Sequence, residues 1–148
     1  MRNIIDKLSK HAESKGYKAE YISIEGIQSF VYYDRVPDNG DVLVGITFPI
    51  LTPNLTGGAV ESNTLNFAIM FGRKSECDTA SGIDELPIEK WNNRMYELYN
   101  IAQSFIEGFF KQCNQEYGLS TYRITPEVNR TSINIDFVVA DITVTEWK

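Results

Sequence analysis

The sequence predicts an α+β fold: a mostly antiparallel sheet packed against one long and one short helix, in the order α-β-β-β-β-α-β-β. Three observations carry this prediction. Between Trp91 and Phe109, apolar residues recur at spacings of 4, 3, 4, 3 and 4, which puts them on one stripe of a helix. Residues 42–50 and 64–71 alternate instead, with Val42, Val44, Ile46, Phe48 and Ile50 on one face and Leu65, Phe67, Ile69 and Phe71 on another. The chain after the helix returns to β-branched and aromatic runs, "LSTYRITPEV" and "INIDFVVADITVTEW". Strands in hairpins with helices kept to one side make an α+β sandwich.

The elements follow in order. Residues 2–15 read as a short amphipathic helix on Ile4, Ile5, Leu8 and Ala12, with Gly16 placed for a left-handed cap. Residues 19–34 read as two short strands, or one strand bent at Gly26. "RVPDNGD" is a turn cluster. Residues 42–50 and 64–71 form a hairpin, with Pro49 marking a sheet edge. Its connection, residues 51–63, is far longer than the roughly 2–5 residues a hairpin turn needs, and reads as a slack, extended tip. Residues 72–87 are a polar connection, with Pro87 as the first helical residue. The long helix spans 88–116, closed by Gly118, and Gly108 allows close packing on the sheet. The next strand breaks at Pro126. In the last and longest strand, Ile133, Ile135, Phe137 and Val139 fall out of phase with Ile142 and Val144, which predicts a bulge near 139–141.

The 148 residues are the usual size of one domain, 1–148. Such a chain buries roughly 70% of its unfolded surface, enough for a core without staples. Fourteen basic residues stand against 20 acidic ones, a net charge of −6, where phosphate-gripping proteins show basic patches. Specific nucleic-acid binding is therefore disfavoured. The one basic bias, Arg2, Lys7, Lys10, Lys15 and Lys18, reads as a solvated helix face. The start, "MRNIIDKLSKHAESKG", has no long apolar run and reads as neither signal peptide nor anchor, and no window is long enough to span a bilayer. Two cysteines make no disulfide framework: Cys113 reads as a packed thiol and Cys77 as an exposed one in a reducing compartment. The acceptor patterns at Asn54 and Asn129 read as accidental.

Little here promises catalysis. His11 is the sole histidine, so a metal site would need distant acids; the plainer reading is a polar helix position. Cys77 with His11 lacks anything that brings the pair together. Asp78, Asp84, Glu85 and Glu89 could work as tuned acids, but acids at a helix start favour its positive end. "LTGGAV" lacks the lysine and following helix of a phosphate loop, and "KSECDTASG" lacks calcium-loop spacing. The expectation is no enzyme, no metal and no cofactor. Tyr32, Tyr33, Tyr96 and Tyr117 fall off the core stripes, as interface aromatics do.

The phrases "TLNFAIMFGRKSECD", "IEKWNNRMYELYNIAQSFIEGF" and "YRITPEVNRTSINIDFVVADITVTEW" together resemble small tail-completion or tail-terminator-type proteins of tailed phages and prophages, nearest those of gut Bacteroidetes phages. The likeness covers residues 40–148 and is one of layout. It implies a sheet-and-helix protomer that self-assembles into a homo-oligomeric ring at the tail end. Its partners would be itself and other tail proteins, with no enzyme activity and no cofactor. It also implies a host-cytoplasmic stage during assembly and a place in the virion tail. The chain departs from that pattern in having no basic surface for DNA, which a ring lining a conduit does not require. On this reading the hairpin tip, Asn54, Leu55, Thr56, Gly57, Gly58, Ala59 and Val60, touches the neighbouring subunit, and residues 56–62 are mobile until they do. The rival reading is a monomeric binding or adaptor domain whose cleft lies between sheet and long helix.

Overall fold

A computed structural model describes residues 2–22, 36–37, 40–74, 88–127 and 135–147. Helix α1 (Arg2–Ser14) is followed by strands β1 (Lys18–Tyr21), β2 (Leu43–Ile46), β3 (Ile50–Thr56) and β4 (Ala59–Lys74). Helix α2 (Ile88–Gln112) and strands β5 (Tyr117–Glu127) and β6 (Ile135–Trp147) complete the α+β order expected from the sequence. Among the described residues, six strands form one sheet, ordered β1-β2-β4-β6-β5, with β3 beside β4. All pairings are antiparallel except β1 with β2.

Both helices lie on one face. Ile4, Leu8 and Ala12 of α1 and Met95, Leu98, Ala102, Phe105 and Phe109 of α2 bury against Leu65, Phe67, Ile69 and Phe71 of β4. Val138, Ala140, Ile142 and Val144 of β6 continue the layer, each paired directly with one of those β4 residues. Phe71 and Phe105 meet edge to face, with ring centroids 5.2 Å apart. A second, smaller core sits on the opposite face, where Ile22 and Val36 bury with Leu43, Met70, Ile135 and Val139.

That second core corrects the expected bulge in the last strand. β4 and β6 pair without a register shift from Ser62↔Trp147 to Lys74↔Ile135. The apolar phase changes because β6 is apolar on both faces at its start and on one face further along, as central strands are. The bulge belongs to β5, between Leu119 and Thr121. Pro126 does not break β5 but lies inside it, on an edge strand that tolerates a missing N–H. The longest described strand is β4, with 16 residues against 13 for β6.

Three glycine and helix-end readings also change. α2 stops at Gln112, and the turn that follows is closed by Tyr117 N–H on the Cys113 carbonyl at 2.9 Å. Gly118 instead lies in β5 under the Trp147 ring, where a Cβ would approach Cζ2 to 3.3 Å. Gly108 faces His11 of α1, not the sheet. Gly16 caps α1 with φ of 78°, as expected. The second strand expected within 19–34, Asp38 and Asn39 of the turn cluster, Pro87, Ile133 and the Trp91 side chain lie outside the described residues.

Candidate functional site: the β3–β4 arm and the open sheet face

The slack tip expected over 51–63 is in fact regular hairpin. β3 pairs with β4 from Ile50↔Asn66 to Thr56↔Ala59, and only Gly57 and Gly58 turn. Both glycines have positive φ, 59° and 81°, which is what a two-residue hairpin turn demands at both central positions. The Asn54 amide donates to Ser62 Oγ and Thr64 Oγ1, each at 3.0 Å. One residue, Glu61, bulges where the register shifts at Asn54/Leu55.

A second irregularity separates β2 from β3. Thr47 N–H donates to the Ala68 carbonyl at 3.0 Å, and Ala68 N–H donates to Thr47 Oγ1 at 2.8 Å. The Thr47 hydroxyl thus replaces its own carbonyl in the ladder. The next pair is Ile50↔Asn66, so three steps on one strand face two on the other. This inserted residue flips the face of everything after it. Val42, Val44 and Ile46 are buried as expected, but Phe48 and Ile50 are 50% and 60% exposed, against the single face expected for 42–50.

The outcome is an arm that no helix covers among the described residues. Every residue of β3 is exposed, Leu55 to 63%. Pro53 cannot donate, so its pair with Asn63 is of the non-hydrogen-bonded kind. Leu51, Pro53 and Leu55 therefore turn their backbone groups away from β4. Among the described residues no strand pairs with that outer side. The predicted contact residues Asn54, Leu55, Thr56, Gly57, Gly58, Ala59 and Val60 all fall on this arm, around its turn.

On the sheet face away from the helices, Phe48, Ile50, Asn66, Thr121, Arg123 and Asp141 border an open cleft of about 470 Å³. Phe48 meets Tyr21 edge to face at 6.2 Å. Thr143 Oγ1 donates to Asn66 Oδ1 at 2.9 Å across β4 and β6. Arg123 and Asp141 lie 3.8 Å apart and are largely exposed, a pair that solvent screens. A cleft between sheet and long helix is not what forms, because that space is the main core.

Two other candidate side chains, His11 and Tyr117, are buried, unlike the polar helix position and the off-stripe aromatic that the sequence suggests. His11 is no surface residue: it is 7% exposed, with Phe105 and Phe109 ring centroids at 4.7 and 5.7 Å. Burial, and then the Lys15 charge, hold its pKa below the ordinary value, while a backbone hydrogen bond to Phe105 works the other way. Tyr117 is core, not interface; burial, aided by Glu146 and Glu116, pushes its hydroxyl up to about 12. Tyr96 is exposed as expected, and Cys113 is a half-buried free thiol packed on the core. Cys77, Asp78, Asp84, Glu85, Tyr32, Tyr33 and Asn129 lie outside the described residues. Glu89 is exposed in the first turn of α2. The buried pair Arg94–Asp136, which ties α2 to β6, gave no periodic signal in the sequence. Among the described residues, no group of three or more His, Cys, Asp or Glu could hold a metal, and no helix is long and apolar enough to cross a membrane.

Compared with known proteins, the chain matches no family model and no curated sequence.

Proposed function

We propose that this chain is a structural protein of a phage or prophage tail, of the tail-completion or terminator type, that closes into a homo-oligomeric ring at the tail end. It works by contact with its own copies and with other tail proteins, first in the host cytoplasm and then in the virion, and carries out no chemical step. The observation that supports this reading best is the arm: seven exposed residues of β3, none charged, end in a tight Gly57–Gly58 turn. An exposed edge of that kind is a template for another chain, and a contact between two different patches closes into a ring when its rotation divides a full turn. Light scattering and negative-stain microscopy of the purified protein at micromolar concentration test it. Rings of several copies are expected, reduced in size when residues 57–61 are deleted. A monomer at that concentration overturns the reading.

The open cleft favours a second reading, a monomeric binding or adaptor domain. That reading requires the single-chain mass and a ligand held against Phe48 and Ile50.

A further inference from the structure

Resting on the ring reading, we infer that the joint between copies is one particular strand pair: the outer edge of β3 in one copy adds antiparallel to the outer edge of β5 in the next. At the level of the arm the local sheet order is β3-β4-β6-β5, and every pairing in it is antiparallel. Four alternating strands place β3 and β5 at opposite edges, running in opposite directions. Read across the registers, β3 residues 50–52 lie level with β5 residues 121–118, so copies in the same orientation bring β5 against β3 antiparallel, with no flip of the sheet, once slid along the strands to set residues 122–126 beside 51–55.

The hydrogen-bond phase agrees. Antiparallel residues that bond across a joint must both turn their backbones outward and must share a face. On β3 these are Leu51, Pro53 and Leu55. On β5, Pro126 forces the same kind of pair with Val138, and the phase then turns Tyr122 and Ile124 outward. Trp147 N–H on the Glu116 carbonyl, at 3.0 Å, gives that phase independently on the near side of the bulge. Leu51 pairs with Leu65, and Tyr122 and Ile124 pair with Ile142 and Ala140, all on the helix-bearing face. The joint thus continues one apolar layer from copy to copy.

Charge singles out β3 as the accepting edge. β1 carries Lys18 and Glu20, and β5 carries Arg123 and Glu127, whereas β3, "ILTPNLT", carries none. Natural sheets guard solvent-facing edges with charge; β3 has only Pro53, which removes one of its three outward donors.

Two measurements test this joint. Leu51→Pro and Ile124→Pro each remove an outward N–H while leaving the inward ladder intact. Each is expected to reduce the assembly to the 16.9 kDa single chain, with a cooperative thermal transition retained. Separately, on a Cys77→Ser/Cys113→Ser background, chains with Thr52→Cys are mixed with chains carrying Arg123→Cys or Thr125→Cys and oxidised. Disulfides between the two kinds of chain are expected, since facing non-bonded pairs bring Cα atoms to about 4.5 Å. If the wild type assembles but both proline variants keep its mass and only 52–52 disulfides form, the joint is wrong and the ring reading stands. If the wild type runs as a single chain, the ring reading fails and the joint with it.

Discussion

Three buried polar residues, His11 and the Arg94–Asp136 pair, bear on how α1 and α2 are held. His11 lies between Phe105 and Phe109, and its Nε2 is buried without a hydrogen-bond partner. Burial favours the neutral ring, so its folded-state pKa lies below that of the unfolded chain. The unfolded chain then binds the proton more readily, and stability falls as pH drops below about 6.5 toward the folded pKa. Melting temperatures at pH 7.5 and 5 should therefore diverge more in the wild type than in His11→Leu; equal pH slopes would mean that His11 does not titrate against the fold. The Arg94–Asp136 pair makes a second case. Both side chains are buried, and Arg73 reinforces the cluster by bonding Glu97 and the Arg94 carbonyl. Removing Asp136 takes this partner from the buried Arg94 charge, so Asp136→Ala should cost about 3–5 kcal/mol in denaturant melts, while Arg94→Met with Asp136→Leu costs far less. Neither role was legible in the sequence. A histidine among lysines reads as surface, and an Arg and an Asp 42 positions apart give no periodic signal.

At the scale of elements, what periodicity could express was legible. The α2 stripe, the β4 alternation and the element order all follow from spacing, because each of these buries a single continuous face. Failures came where one strand serves two environments. β6 changes its apolar phase by gaining a second core, and the stretch 42–50 changes face at the Thr47 bulge. The arm departs from expectation for another reason. A polar, glycine-bearing stretch reads as slack, yet Gly-Gly between two strands is also a strong signal for a two-residue turn. The positive φ at Gly57 and Gly58 makes this testable. Gly58→Ala should destabilise the hairpin by about 1–2 kcal/mol, the cost of a left-handed conformation for an L-residue, and Gly57→Asn by less. Equal effects from the two would argue against the turn. The candidate contact residues lie on an arm whose β3 edge pairs with no other strand among the described residues, and no local pattern in the sequence records an open edge.

At the scale of the molecule, cover is uneven along β4, and that sets how it opens. From Leu65 to Phe71 the strand lies between paired strands, with helices over one face and, at Ala68 and Met70, a second core over the other. From Ala59 to Glu61 only β3 lies beside it among the described residues, and β3 is exposed throughout. Local opening needs little free energy where few buried apolar contacts are lost, whereas core strands exchange only on global unfolding, typically 5–15 kcal/mol. Amide hydrogen exchange should therefore run outward to inward: residues 55–61 first, the inward-bonded amides of Thr52 and Asn54 next, and Ile69 and Ala140 last. On the ring proposal, the Leu51 and Leu55 amides, which face away from β4, separate single chain from assembly. They should exchange at near solvent rates in dilute single chains and become protected as concentration drives assembly. Protection that is equal at both concentrations, in a protein whose mass does change, would place the contact somewhere other than this edge.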